Sequence, residues 1–342
     1  MGIRKDSNER PEIAKVSPPA AIAGGELRIQ GKGFARSDWP RVTIGDAVAP
    51  LTIGSDTLVI VKVPEGVSAG ALVVTSGSKA SKAWSCDIGI QIADSLHPVA
   101  NPAVDRYGNI FATFSGSRGQ KVAVAVYKID SGGSARPFVN DLMNATGMAF
   151  DREGMLYVSS RFDGVVYQVT PNGSMGVYVE GMGVATGLAF DEDNNLYVGD
   201  RSGTIFKISP ERQIFVFATL EPSIAAYHLC QGPGGYLYVT GPTTSSFDSV
   251  YRISHSGEVE VYYRGVGRPQ GMAFDAEGRL YVAASLGGRR GVVRFGADAQ
   301  PELFLSGPGI VGLAFLPSRA LAVATTNAIY RVDVDIKGRP LF

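Results

Sequence analysis

The chain has 342 residues, of which 45% are apolar and 19% charged, with 32 basic side chains balanced by 32 acidic ones. That length can bury two cores, and a zero net charge argues against a nucleic-acid binder, which draws on a basic excess to neutralise phosphates. No apolar run reaches the about 18 residues of a membrane span, and 43 glycines with 19 prolines interrupt the chain too often for long helices.

Residues 1–10 are charged and lack an apolar core, so they read as a disordered tail and not as a signal peptide. This points to the cytoplasm, or to the periplasm or cell exterior if an export segment has been trimmed. Cys86 and Cys230 lie too far apart to suggest a disulfide framework and read as free thiols. From residue 11 to 87 short alternating runs follow one another: Leu27–Gln30, Arg41–Ile44, Thr57–Val61 and Ala71–Val74, each bounded by turn residues. About seven strands in about 80 residues is the signature of an immunoglobulin-like sandwich. The segment Ile29-Gln-Gly-Lys-Gly-Phe34, preceded by Val16-Ser-Pro18 and followed by Val63-Pro64, resembles the IPT/TIG family of such modules. That resemblance implies a spacer, a dimerisation surface or a ligand-contact module. The basic loops of its DNA-binding members have no counterpart here.

From residue 97 onward the sequence repeats. Thr146-Gly-Met-Ala-Phe-Asp151 with Leu156-Tyr-Val158 recurs at Thr186–Asp191 with Leu196–Val198, and at Gln270–Asp275 with Leu280–Val282. Weaker copies stand at 101–112, 228–239 and 312–323. The phase residues Val104, Phe150, Phe190, Gln231, Phe274 and Phe315 are 46, 40, 41, 43 and 41 positions apart. Four strands can be read in each unit, for instance Gly147–Phe150, Leu156–Ser159, Gly164–Val169 and Gly176–Val179. Six such units make a six-bladed β-propeller. The last unit lacks an outermost strand, and residues 88–93 fall at the interval expected of one. An N-terminal strand is therefore predicted to close the ring, with residues 339–342 as the rival. The chain is thus expected to be all-β: a sandwich over 11–87 and a propeller over 88–342.

The repeats resemble NHL-type propellers and, more distantly, the regucalcin/gluconolactonase superfamily. The latter resemblance implies a divalent ion in the central channel, held by Glu, Asn and Asp at the start of innermost strands. The matching positions here are Ala100, Thr146, Thr186, Tyr227, Gln270 and Val311, and none is Glu, Asp or Asn. No metal or other cofactor is therefore expected. His228, beside Tyr227, reads either as a hydrogen-bonded structural residue or as a ligand contact or general base. Arg161 and Arg201, at equivalent positions of neighbouring blades, could hold a carboxylate or pair with Asp163 and Asp200. The expected ligand-binding set is Thr146, Arg161, Thr186, Asp200, Arg201, Tyr227, His228 and Gln270, with no catalytic residue assigned. The leading expectation is a monomeric binding or scaffold protein whose propeller top face takes a protein or small molecule, and neither nucleic acid nor a membrane. The alternatives are a lactonase-like hydrolase with a divergent site and an extracellular carbohydrate or surface binder.

Overall fold

The computed structural model describes residues 10–36, 38–67, 70–117 and 119–340. The expected tail, apart from Arg10, and the last two residues lie outside these. The chain divides into two compact units. The first runs to Ile90 and includes Phe304–Pro308; the second comprises Gln91–Leu303 and the chain from Gly309.

The first unit is a sandwich of two four-stranded sheets. One carries Glu12–Ser17, Glu26–Lys32, Leu58–Lys62 and Leu51–Gly54 in that spatial order; the other carries Ala47–Ala49, Arg41–Ile44, Leu72–Ser76 and Lys79–Ala80. Alternation explains the core. Leu27 and Ile29 point inward while Arg28 and Gln30 point out, and the inward set packs with Phe34, Val42, Ile44, Val59, Val61, Leu72 and Val74. Phe34, from the Gly-x-Gly-Phe turn, is fully buried. Short parallel ladders join Ala20–Ala21 to Asp87–Ile88 on one side and to Leu305–Ser306 on the other. Cys86, like Cys230 in the second unit, is free and partly buried.

The six-bladed propeller makes up the second unit, apart from Ile90 and Phe304–Ser306, which fall in the first. Blade 1 holds Ala103–Val104, Ile110–Thr113, Val124–Ile129 and Ala135–Asn140, from the channel outward. Blade 2 holds Ala145–Phe150, Leu156–Ser160, Val165–Val169 and Met175–Val179. Blade 3 holds Ala185–Phe190, Leu196–Asp200, Thr204–Ile208 and Ile214–Thr219. Blade 4 holds His228–Gln231, Leu237–Thr240, Asp248–Ile253 and Val259–Val266. Blade 5 holds Met272–Phe274, Leu280–Leu286, Arg289–Phe295 and Pro301–Ser306. Blade 6 holds Ile310–Phe315, Leu321–Thr325 and Ile329–Val332, and its outer strand is Ile90–Ala93. The ring thus closes through the N-terminal strand. The described part of the rival segment is engaged elsewhere: Arg339 N–H donates to the Phe274 carbonyl at 2.9 Å, and its neighbour Gly338 bridges to Asp275.

The repeated motif has a physical basis at each letter. The aspartate locks the turn between the two inner strands. Asp151 Oδ1 accepts the Met155 N–H at 2.8 Å and its Oδ2 the Tyr157 hydroxyl at 3.1 Å; Asp191 and Asp275 repeat both bonds with Asn195 and Tyr197, and with Arg279 and Tyr281. The tyrosine ring then receives the phase phenylalanine of the next blade edge-to-face. Tyr157 meets Phe190 at 4.9 Å, Tyr238 meets Phe274 at 4.8 Å and Tyr281 meets Phe315 at 5.2 Å. The glycine is set by close approach, since adjacent innermost strands converge at the channel. A Cβ on Gly147 would lie 2.1 Å from the Thr186 carbonyl oxygen, and one on Gly187 2.5 Å from that of Tyr227. Among the described residues no helix is long and apolar enough to cross a membrane.

Candidate functional site

The starts of the innermost strands and the loops between second and third strands share one end of the propeller, its top face. The sequence-derived set gathers here, but most of its polar atoms are bonded within the fold. Thr146 is buried, and its hydroxyl donates to the Asn144 carbonyl at 2.9 Å. The Thr186 hydroxyl donates to Gly199 O at 2.8 Å and accepts the Tyr227 N–H at 3.1 Å, tying blade 3 to blade 4. The Tyr227 ring is buried, and its hydroxyl donates to the Glu221 carbonyl. Burial raises that phenol's pKa, so it stays neutral.

The arginines brace loop carbonyls. Arg161 donates to Gly116 O at 3.3 Å. Arg201 donates to Ser223 O at 3.1 Å and to Ile224 O at 2.9 Å. In place of an Arg201–Asp200 ion pair, Asp200 accepts the Val184 N–H at 2.8 Å and the Ser202 hydroxyl. Asp163 accepts the Val165 N–H at 3.3 Å and the Tyr167 hydroxyl at 2.9 Å.

His228 is the exception. It occupies the motif position that is glycine in blades 2, 3, 5 and 6, it is 3% exposed, and its Nε2 has no hydrogen-bond partner among the described residues. Burial, reinforced by the Arg290 charge, lowers its pKa from 6.5 to about 3, so the ring is neutral at physiological pH. Arg290, from blade 5, donates to Gln270 Oε1 at 2.5 Å, to Arg268 O at 2.8 Å and to Ile310 O at 3.1 Å. Gln270 and His228 are therefore brought to the same seam by a residue outside the expected binding set.

Asn101 was also outside that set. It stands at the motif's glycine position in blade 1, and its amide bridges blades 5 and 6, donating to Met272 O at 2.8 Å and accepting the Leu313 N–H at 3.0 Å. A polar residue where the repeat wants glycine is the signal that marks both Asn101 and His228. Asn144, the first residue of an Asn-Ala-Thr triplet of the glycosylation type, is buried, with its amide nitrogen bonded to Gly116 O and Ser117 O. Among the described residues no three His, Cys, Asp or Glu side chains are grouped to hold a metal.

The rim around these braced loops carries three exposed apolar side chains: Phe162 at 48%, Ile224 at 45% and Phe247 at 69% exposure. Beside Phe247 a cleft of about 180 Å³ opens in blade 4, with Glu221, Asp248, Tyr251 and Arg264 among its walls.

The architecture is that of an all-β chain combining an immunoglobulin-like module with a six-bladed β-propeller. Residues 11–85 match the family model of the IPT/TIG domain. No curated protein sequence matches the chain. Among solved structures, a protein of unknown function from Bacteroides thetaiotaomicron is 14% identical over 96% of this chain and 98% of its own, with a TM-score of 0.60. An auxiliary nutrient binding protein from Bacteroides ovatus is 13% identical over 95% and 98%, with a TM-score of 0.54. A gluconolactonase from Xanthomonas campestris is 15% identical over 72% and 89%, with a TM-score of 0.62. At such identities the likeness establishes the fold.

Proposed function

We propose that the protein binds a ligand, a protein or a small molecule, through the top face of its propeller and does not turn it over. The carrying observation is the contrast at that face: the polar groups of Thr186, Asp200, Arg201 and Arg290 are occupied in bracing backbone, while Phe162, Ile224 and Phe247 stand out from the braced loops. Rigid loops presenting exposed aromatic anchors suit recognition, because little ordering cost remains at binding. The auxiliary nutrient binding protein, alike over nearly its whole length, is consistent with such a role. A thermal-shift panel of sugars, peptides, carboxylates and lactones tests it. The expected result is a stabilising ligand whose effect is lost in Phe162→Ser/Ile224→Ser/Phe247→Ser. Robust turnover of a lactone or ester, lost with the same variant, would overturn the reading.

A second reading, a lactonase-like hydrolase, has one observation in its favour: the neutral, buried His228 with a free Nε2 at the channel mouth. It predicts lactone hydrolysis with added Ca²⁺, Zn²⁺ or Mn²⁺ that His228→Gln abolishes.

A further inference from the structure

The cleft in blade 4 is built differently from the rest of the rim. The connection between the second and third strands of this blade runs from Gly241 to Phe247, where blades 2 and 3 use only Arg161–Gly164 and Arg201–Gly203. The longer loop is held by its own hydrogen bonds. Asp248, 2% exposed, accepts the Thr243 N–H at 3.0 Å and the Thr243 hydroxyl at 2.7 Å on Oδ1, and the Arg268 N–H at 3.2 Å on Oδ2. The Phe247 N–H donates to Ser245 Oγ at 3.0 Å, and the Ser245 N–H to Thr243 Oγ1 at 3.0 Å. These bonds fix a loop whose outermost side chain, Phe247, is left 69% exposed. An aromatic ring held in water by a rigid loop has paid its ordering cost before any ligand arrives.

The remaining walls are polar. Glu221 comes from the connection between blades 3 and 4, Tyr251 from the third strand of blade 4 and Arg264 from its outer strand. Arg264 Nε donates to Ser249 Oγ at 3.2 Å, which orients the guanidinium. Glu221 and Arg264 are both exposed and opposite in charge, and the Asp248 carboxylate is turned into its own loop, accepting the Thr243 N–H and hydroxyl and the Arg268 N–H. The charged groups left facing solvent, Glu221 and Arg264, are thus one of each sign. The cleft's roughly 180 Å³ is also below the about 300–1,000 Å³ of cavities that enclose drug-sized ligands.

We propose that this cleft binds a single neutral pyranose ring, free or at the end of a glycan. A pyranose has one face of C–H bonds, which Phe247 can cover, and a rim of hydroxyls, each both donor and acceptor. Glu221 accepts from such hydroxyls and Arg264 donates to them, both as charge-assisted bonds, with the Tyr251 phenol as a further partner. The proposal rests on the top-face binding reading and names its ligand class.

Saturation-transfer NMR and calorimetry on the full chain test it, using the methyl glycosides of glucose, galactose, mannose, fucose and N-acetylglucosamine. Gluconate and arginine amide serve as ionic probes. One or more neutral glycosides bind, and Phe247→Ala and Glu221→Gln each weaken binding by about tenfold or more, as truncation of a central anchor does. Tyr107→Ser, on an exposed turn at the opposite end of the blades, leaves binding unchanged. Circular dichroism confirms that each variant is folded. The proposal falls if no glycoside binds, if binding survives both cleft variants, or if the ionic probes bind better. If a different ligand binds and is lost with Phe162→Ser/Ile224→Ser alone, the top-face reading stands and the pyranose cleft falls.

Discussion

Lowering the pH from 7 to 5 is expected to destabilise the propeller through His228. The folded imidazole titrates at about 3 and the unfolded one at 6.5, because the fold offers the charged ring neither water nor a carboxylate and sets Arg290 nearby. A depressed folded value means that the unfolded state takes up the proton first, so stability is complete above pH 6.5 and is lost as pH falls toward 3. Over the interval from pH 7 to 5 the loss amounts to about 2 kcal/mol at about 1.4 kcal/mol per unit. Both tryptophans, Trp39 and Trp84, lie in the first unit, so their fluorescence does not follow the propeller. Hydrogen exchange of the blade 4 amides over Leu237–Thr240, corrected for intrinsic rates, reads the second unit by itself. His228→Gln keeps a neutral polar side chain and removes the titration, so the difference between the two proteins isolates His228. The wild type should lose about 2 kcal/mol more than the variant between the two pH values. Equal losses, within about 0.5 kcal/mol, would refute the argument from burial and show that the imidazole finds a proton partner in the folded state.

Three further outcomes follow from the same geometry. Gly147→Ala, whose Cβ would sit 2.1 Å from Thr186 O, should cost about 2 kcal/mol or more in denaturant titrations of the propeller, whereas Gly176→Ala, with nothing within 4 Å, should be neutral or slightly stabilising. Tyr197→Phe removes the hydroxyl that Asp191 accepts and should lower stability by about 1 kcal/mol, measured the same way. A fragment beginning at residue 96 lacks the outer strand of blade 6 and should be insoluble or melt well below the full chain; a stable monomeric fragment would show that closure there is dispensable.

The blades were legible because their motif is a sum of local and seam constraints that recur: the turn aspartate, the tyrosine, the phenylalanine and the close-approach glycine each leave a letter at fixed spacing. Strand limits came within a residue or two, as in Leu156–Ser159 against the observed Leu156–Ser160. The polar mouth was less legible. Position along a strand places Thr146 and Thr186 at the channel, but a rotamer choice decides whether a hydroxyl faces solvent or a neighbouring carbonyl, and sequence does not carry that choice. Arg201 is similar: its place beside Arg161 suggested inter-blade pairing with Asp163 and Asp200, yet the bare carbonyls of Ser223 and Ile224, in the connection to blade 4, are its partners. Blade 4 broke the motif, with Gln231 for phenylalanine and a 3₁₀ turn at Pro233–Gly235 for the aspartate turn. That irregular blade is the one that carries both His228 and the cleft.

Closure through Ile90–Ala93 fixes an order of events in the cell. This strand emerges from the ribosome before any blade, yet its partner, Ile329–Val332, is made only after the five other blades; the Tyr330 hydroxyl and Gln91 Oε1 that meet at 3.1 Å are 239 positions apart. Each earlier blade can hydrogen-bond internally as it appears, but the seam between the sixth blade and the first must wait until Ile329–Val332 has been made. During that wait Ile110, Ala112 and Ile129, which pack against Ala322, Ala324 and Ile329 in the finished ring, have no cover. The protein is therefore most open to aggregation and to protease late in synthesis, and the final snap of blade 6 is the step on which crowding or a chaperone would act.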